Sequence, residues 1–504
     1  MSLGRQLLRN IVSSWISYGI RLSCGFFFVP YIAATLGGER YGLWTIIFQA
    51  INYFTLLDLG LERAVVKYVS KYVGQKDQRN ISKTLSTATA LYTGLGLLIG
   101  ISAFAISQFF FGLFHINDPA LLTDSRTAFL ILGLFLMSRF LTNGYTQTIV
   151  GMQRTDVFNV LDVFEEVFRI GTLVYLLSQG YGLTALATGI FGVSLIRQLG
   201  VVIWMTWRHP EIRFRPGDID KGRAKELFGF STVSFGITLA WLVIFGSDAI
   251  ILGLLATPTA AALFAPASQL MLYLRHIINA IGTPLAPAVS QLDSRAASDQ
   301  VALTYRKGVK YVTYLSFFVS AGVVIFAHPF IQLWLPIQFE PTASVMAILA
   351  VGAAFFLPQI LANAILFGLE QHRYLLIVLI FEAAIKLTLS LILVGQYGAV
   401  GLAIGTASAQ VAMYSFVYPM LICRRLKIPA GPILVTSLRS ALLALVVTVP
   451  LSLFIRMSSQ PTNWLTIGME IALVSAVVML VGLVTLAEAD DRARIARFLH
   501  LSPR

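Results

Sequence analysis

The sequence predicts an all-α polytopic membrane protein of about fourteen transmembrane helices, built as two pseudo-symmetric six-helix lobes followed by two C-terminal helices. Three observations predict it: an apolar composition, a one-sided distribution of basic residues, and an internal repeat. Of the 504 residues, 57% are hydrophobic and 12% charged, too greasy and too charge-poor for a soluble protein of this size. Apolar runs of about 20 residues or more recur from end to end, each long enough to cross a bilayer as a helix.

In chain order the runs lie near 11–36, 41–62, 84–111, 127–150, 157–178, 183–207, 227–253, 259–290, 309–335, 342–369, 374–395, 398–422, 433–456 and 464–487. Those at 259–290 and 342–369 exceed a simple crossing, which predicts a tilt or a kink. Pro284 and Pro287 predict a broken eighth helix, and the prolines and glycines inside other spans are either tolerated interruptions or hinges. Arg5 and Arg9 precede the first run as the n-region of a signal peptide would, but the run is too long for an h-region and has no clear small-x-small exit. It therefore reads as a span. Cys24 and Cys423 make no disulfide framework.

The formal net charge is +13. With the N-terminus placed in the cytoplasm and the spans alternating, most of the 37 lysines and arginines fall in inside segments, and the outside loops hold only Arg40, Arg126 and Arg456. This is the positive-inside bias, which places both termini in the cytoplasm. The basic balance is a topology signal, and no nucleic-acid partner is expected.

The repeat is read from near-constant offsets. Phe164, Glu165 and Arg169 match Phe381, Glu382 and Lys386 at 217, as Gly151 matches Gly368 and Ser17-Tyr18-Gly19-Ile20 matches Ser234-Phe235-Gly236-Ile237. Tyr181-Gly182 and Gly189 match Tyr397-Gly398 and Gly405 at 216, and Phe135 through Asn143 matches Phe355 through Asn363 at 220. Six spans per copy is even, so both copies insert in the same orientation, with a cavity expected between the bundles. The expected organisation is an N-lobe at 1–207, a cytoplasmic loop at 208–226, a C-lobe at 227–422, spans thirteen and fourteen at 423–487, and a basic tail at 488–504. The last two spans are either an appended pair or the wall of a lipid-facing groove. Two amphipathic pieces, 63–83 and 487–504, serve as topology determinants or lie on the inner membrane face against anionic lipid.

No enzyme constellation is present. There is no P-loop, the six histidines are scattered without a zinc-protease spacing, and no loop outside the spans is long enough for a catalytic domain. No catalytic residue, metal or cofactor is expected. The chemistry lies in six mid-span cations: Arg21, Arg139, Arg169, Arg197, Arg275 and Lys386. A cation at the bilayer centre costs at least about 2.5–3.5 kcal/mol unless it meets a wet cavity or a partner. Glu165 and Arg169, like Glu382 and Lys386, stand four apart with the acid N-terminal, and are read as structural ion pairs. Asp162 and Glu166 share the Arg169 stripe and leave acid in surplus, which makes them candidates for a coupling proton. Arg21, Arg139 and Arg275 have no acid three or four residues away on their own helices. An interhelical acid such as Asp248 or a substrate phosphate would satisfy them, and arginine binds phosphate bidentately at any relevant pH. Arg197 is a further candidate, nearer the inner end, while Arg63 and Arg439 are close enough to the inner face to snorkel.

The opening Asn10, Pro30-Tyr31, Leu36-Gly37, Tyr41-Gly42-Leu43-Trp44, Asp58-Leu59-Gly60-Leu61 and Ala64 resembles the start of the polysaccharide transporters of the multidrug/oligosaccharidyl-lipid/polysaccharide (MOP) exporter superfamily, which include the Wzx-type repeat-unit flippases. Asn363, Gly368-Leu369, Tyr397-Gly398 and Gly401-Leu402-Ala403 resemble their C-terminal half. The resemblance covers essentially the whole chain. It implies two six-helix lobes, rocker-switch access, a cationic central cavity, and turnover of undecaprenyl-diphosphate-linked saccharide from the inner to the outer leaflet of a bacterial inner membrane. O-antigen, lipopolysaccharide and exopolysaccharide assembly are the implied settings, with membrane lipid and other assembly proteins as partners. Arg21, Arg139, Arg275 and Arg197 are then the expected diphosphate ligands. The rival readings are a cation-coupled multidrug antiporter of the same fold, a polyisoprenoid-dependent polymerase or glycosyltransferase, and a structural membrane subunit. The first would want unpaired cavity acids, and the second a large external loop.

Overall fold

The computed structural model describes residues 3–114, 116–228, 232–282, 285–294, 298–458 and 463–487. Every regular element among them is helical, as an apolar solvent demands of a chain whose amides must find partners within their own segment. Two compact units result, Met1–Ala262 and Leu263–Arg504. The first contains α1 (Leu3–Tyr53), α2 (Leu61–Gly74), α3 (Gln78–Phe109), α4 (Pro119–Gly151), α5 (Thr155–Ser178), α6 (Leu183–Arg208), α7 (Lys221–Phe228), α8 (Thr232–Gly246) and α9 (Asp248–Leu255). The boundary falls early in α10 (Pro258–Gly282). The second continues with α11 (Leu285–Ser294), α12 (Ser298–Trp334), α13 (Thr342–Phe356), α14 (Ile360–Gly368), α15 (His372–Ala412), α16 (Tyr418–Arg425), α17 (Ala430–Ser458) and α18 (Trp464–Leu486).

Among the described residues, nine helical tracts are long and apolar enough to cross a membrane, and ten if α8 and α9, bent by 49°, count as one. The chain is a multi-pass membrane protein. Two of these tracts are double. Gly37 (φ 72°) in α1 and Gly398 (φ 53°) in α15 adopt left-handed backbone and interrupt the helix. Glycine enters this region without steric cost, and the breaks coincide with the loops expected after residues 36 and 395. The run expected as the fifth span is helical, as α5, but Asp162, Glu165, Glu166 and Arg169 keep it out of the tracts apolar enough to cross a membrane. The long run at 342–369 is divided at Pro358 by a 3-10 turn, Leu357–Gln359, between α13 and α14. At the expected break in the eighth span, α10 stops at Gly282 and α11 starts at Leu285, while Pro284 lies outside the described residues.

Helix ends follow local chemistry. Asp77 accepts the Asn80 N–H (3.0 Å) at the start of α3, Asp118 accepts the Ala120 N–H (2.9 Å) at the start of α4, and Asn463 forms a capping box with Thr466 at α18. Asp124, within α4, accepts the Leu183 and Thr184 N–H groups (2.8 and 3.0 Å) and so caps α6 from a neighbouring helix.

The repeat recurs in backbone detail. After α4, the Gln153 N–H bonds to Val150 O and the Arg154 N–H to Ile149 O. After α14, the Glu370 N–H bonds to Phe367 O and the Gln371 N–H to Leu366 O. Each atom is displaced by 217 residues. Gln153 (φ 58°) and Glu370 (φ 56°) both occupy the left-handed position of a helix stop usually held by glycine. The preceding glycines match as well. A Cβ on Gly151 would lie 2.7 Å from Val69 Cβ, and one on Gly368 would lie 2.8 Å from Val289 Cβ.

The amphipathic piece at 63–83 forms α2 and the start of α3. Leu61, Ala64, Val65, Val69 and Tyr72 of α2 are buried against α3 and α4. The basic piece at 487–504 lies outside the described residues apart from Ala487. In the segment 208–228, Arg223 of α7 donates to Tyr72, to Asn80 (3.2 Å) and to Glu226 (2.9 Å), docking the segment on α2 and α3. In the second unit, α17 and α18 pack on α12 through Ala444, Ile467, Val474 and Val478 against Tyr314, Phe318 and Phe326.

Candidate functional site

In the first unit, α5 packs between α1 and α6 and carries its acids on the faces those helices cover. Positions 162, 165, 166 and 169 are spaced three, four and seven apart, so they share one side of a helix. Asp162 bridges two arginines from different helices: Arg197 Nη2 of α6 lies 2.9 Å from Oδ1, and Arg21 Nη1 of α1 lies 3.4 Å from Oδ2. Arg197 Nε also lies 3.4 Å from Glu165 Oε2, and its guanidinium sits 5.3 Å from the Phe158 ring centroid. Arg169 pairs with Glu166 at 2.5 Å. Further along the α1–α5 seam, Asn159 Nδ2 donates to Ser13 and Ser14 (3.0 Å each).

This arrangement corrects two expectations and decides between two alternatives. The Glu165–Arg169 pair does not form: Arg169 takes Glu166, one turn back at i−3, and Glu165 turns to Arg197. Of the partners left open for Arg21, an interhelical acid is present, Asp162 of α5. The acid surplus on α5 also disappears, since Asp162, Glu165 and Glu166 face Arg21, Arg169 and Arg197. Neither Asp162 nor Glu166, the two expected coupling acids, stands apart from an arginine.

Beside this cluster, within the same unit, is a cavity of about 560 Å³. Its floor is a turn. Leu59 (φ 51°) and Gly60 (φ 81°) are both left-handed, which reverses the chain between Asp58 and α2. Asp58 Oδ2 then accepts the Glu62 N–H (3.4 Å) and Oδ1 accepts the Tyr92 hydroxyl (2.8 Å). One wall is α4, with Arg139, Asn143 and Gln147 at successive i+4 positions. Gln147 Nε2 donates to Asn143 Oδ1 (3.1 Å). Arg197, Arg63, Phe140 and Phe158 also line the space. Arg139 makes no ion pair among the described residues. Its charge reaches Glu62 across the cavity edge.

Arg63, Asp58 and Glu62 are cavity residues that the sequence reading did not single out as a site. Arg63 lies close enough to the inner face to snorkel, and Asp58 stands in the motif Asp58-Leu59-Gly60-Leu61. The usable signal was Asp58-Leu59-Gly60, a polar turn at the end of an apolar run.

In the second unit, Glu382 and Lys386 are fully buried on α15. The Tyr414 hydroxyl donates to Glu382 Oε2 at 2.5 Å, and the charges of Lys386 and Arg275 both act on Glu382. Arg275, expected to lack an acid on its own helix, thus has one nearby from α15. The repeat explains the layout. The residues 217 positions after Glu165 and Arg197 are Glu382 and Tyr414, so a carboxylate again faces a polar side chain of the following helical segment, here through a phenol hydrogen bond in place of a longer guanidinium contact. A π-helical turn, Met413–Val417, starts at this point. Such a turn accommodates one extra residue, the difference between the offset of 216 for Gly189 and Gly405 and 217 for Arg197 and Tyr414. Among the described residues, no group of three or more His, Cys, Asp or Glu side chains is placed to hold a metal ion.

Two family models match the chain. One, described as polysaccharide biosynthesis protein, covers residues 7–293. The other, described as lipid II flippase MurJ, covers residues 157–475. The uncharacterized membrane protein EpsK of Bacillus subtilis (strain 168) is 24% identical over 78% of this chain and 79% of its own length. The probable low-salt glycan biosynthesis flippase Agl15 of Haloferax volcanii is 21% identical over 81% of both chains. A solved structure of the lipid II flippase MurJ in an inward closed conformation superposes with a TM-score of 0.73 at 15% identity, over 94% of this chain and 98% of that one. The chain belongs to the polysaccharide biosynthesis protein family, and over residues 157–475 it also matches the lipid II flippase MurJ family.

Proposed function

We propose that this protein is a flippase that moves a lipid-diphosphate-linked oligosaccharide, a polysaccharide or O-antigen repeat unit, from the inner to the outer leaflet by alternating access. The work is transport, not bond-making chemistry. In this reading the chain sits in a bacterial inner membrane with both termini cytoplasmic. Its fourteen spans form an N-lobe at 1–207, a C-lobe at 227–422 joined to it by the loop 208–226, an added pair at 423–487 and a basic tail at 488–504. Its partners are the lipid-linked oligosaccharide, membrane lipid and other proteins of glycan assembly.

The observation that carries the reading is Arg139, on the wall of a cavity of about 560 Å³ with no ion pair among the described residues, next to Arg197 and Arg63. Arg139 is exposed on that wall, so its guanidinium is open to an anion entering the cavity, and phosphate oxygens match its fork. Arg139 is the leading diphosphate ligand in this unit, with Arg197 and Arg21 reached through Asp162. Arg275 is the corresponding ligand in the second unit, beside the Glu382–Lys386 pair. Carrying a diphosphate outward across an inside-negative membrane is downhill by about 2.3 kcal/mol per charge per 100 mV. The arginines therefore need to replace lost hydration, not to drive the step.

The test is export of surface glycan in cells that depend on this protein. Arg139→Ala is expected to lower export by about tenfold or more, the loss of one charge-assisted hydrogen bond or two, with unchanged protein in the membrane and lipid-linked precursor accumulating inside. Normal export from both Arg139→Ala and Arg275→Ala would overturn the proposal.

A further inference from the structure

We infer that Asp162 is a built-in stand-in for the substrate's phosphate, a positioning residue that holds Arg197 and Arg21 and competes with the incoming diphosphate for them. The inference rests on the flippase reading and deepens it.

Three observations carry it. First, Asp162 is held by two cations from two different helices, each on its own carboxylate oxygen: Arg197 at 2.9 Å and Arg21 at 3.4 Å. A carboxylate gripped in this way is a geometric analogue of a phosphate between two guanidinium groups. Second, Arg197 belongs to both places. It is only 2% exposed and paired with Asp162 and Glu165, yet it lines the same cavity as Arg139. Third, Arg21 is 44% exposed while Asp162 is 9% exposed. With the longer contact and the greater exposure, the Arg21 guanidinium is the looser of the two partners; it does not itself line the cavity that Arg197 shares with Arg139.

The consequence is a limit on affinity. A cavity of unpaired arginines would hold a diphosphate too well to release it. With Asp162 in place, each phosphate contact to Arg197 or Arg21 is made against an existing carboxylate contact, and the carboxylate re-forms its contacts as the product leaves. Linked equilibria of this kind change affinity by about 5–150-fold. Asp162 then trades ground-state affinity for turnover.

The experiment uses the full chain in lipid nanodiscs, with inorganic pyrophosphate as the probe and glycan export in cells as the second readout. Asp162→Asn is expected to bind pyrophosphate about tenfold more tightly than wild type and to export more slowly at saturating substrate. Asp162→Glu, which keeps the carboxylate, is expected to restore both toward wild type. Arg21→Gln leaves Asp162 to Arg197 alone and is expected to weaken pyrophosphate binding, which keeps the inference testable if the asparagine variant does not fold. Unchanged or weaker binding by Asp162→Asn, with Arg139→Ala weakening binding about tenfold or more, overturns the role of Asp162 and leaves the flippase reading standing. If Asp162→Asn does not fold, unchanged binding by Arg21→Gln does the same. Absence of pyrophosphate binding by wild type and every variant overturns the role of Asp162 together with the phosphate clamp.

Discussion

At the residue scale, the pairs formed differ from those the sequence suggested because a single helix offers only its own neighbours. Glu165 and Arg169 are four apart, the spacing that favours a local pair, but α6 brings Arg197 within 3.4 Å of Glu165 and Arg169 closes on Glu166 instead. Arg197, only 2% exposed, has no water to fall back on, so it draws Glu165 as well as Asp162, although its Nε makes no hydrogen bond. The mid-span position of all six cations was legible; their partners were not, since every partner of Arg21 and Arg197 comes from another helix. The repeat then turns one contact into a comparison. Arg197→Ala removes a charge from a buried network and is expected to cost about 3–5 kcal/mol, because Glu165 and half of Asp162 lose their cation. Tyr414→Phe removes one neutral donor from Glu382 and is expected to cost about 1–3 kcal/mol. Thermal unfolding of the detergent-solubilised variants measures both, and a larger loss for Tyr414→Phe would contradict the assignment of these residues as equivalent positions with unequal chemistry.

At the scale of the helices, turn chemistry was readable where glycine or a capping acid marks an end, and unreadable where an ordinary residue does the same work. Gly37 and Gly398 fall at expected breaks. Gln153 and Glu370 make the same kind of helix stop without glycine, and only the backbone hydrogen bonds reveal it. The matching glycines at 151 and 368 were visible as an offset of 217; that each lets a valine approach was not, because the valines lie on separate helices. The cap of α3 gives a pH dependence outside the membrane. The Asn80 backbone N–H, with its side-chain amide, holds the Asp77 carboxyl below the usual carboxylate range. A depressed folded-state value contributes stability that is fully present above the unfolded value near 3.9 and is lost as pH falls through the folded one. The melting temperature of wild type is therefore expected to drop on acidification below about pH 4 more steeply than that of Asp77→Asn, which keeps an acceptor but has no proton to gain. Parallel curves for the two proteins would show that the cap carries no titrating stability.

For the molecule as a whole, the distribution of charge says more than its total. In the proposed fourteen-span layout most of the 37 lysines and arginines fall in alternate connecting segments, a pattern that would orient a chain in a membrane where the same residues spread evenly would not. Membrane class and approximate spans were legible because hydropathy is a local property summed over about 20 residues. The cavity in the first unit was not, because it is assembled from the ends of several helices and a turn, and its residues are ordinary at any one position. Orientation follows from the number of crossings, since each span carries the chain to the other side of the membrane. The loops around α2 to α6 test the count directly. After replacement of Cys24 and Cys423 by serine, single cysteines at the exposed positions Gln75, Asn117, Gln153 and Gln179 sample four successive connections. A membrane-impermeant thiol reagent applied to intact cells is expected to label Asn117→Cys and Gln179→Cys, and to reach Gln75→Cys and Gln153→Cys only after the membrane is opened. The arginine-rich inner segments make this polarity the favoured one, because each Lys or Arg near the cytoplasmic leaflet gains about 1 kcal/mol from anionic lipid. The reverse labelling pattern would place the N-terminus outside and would leave the proposed inner-to-outer direction of transport without its topological basis.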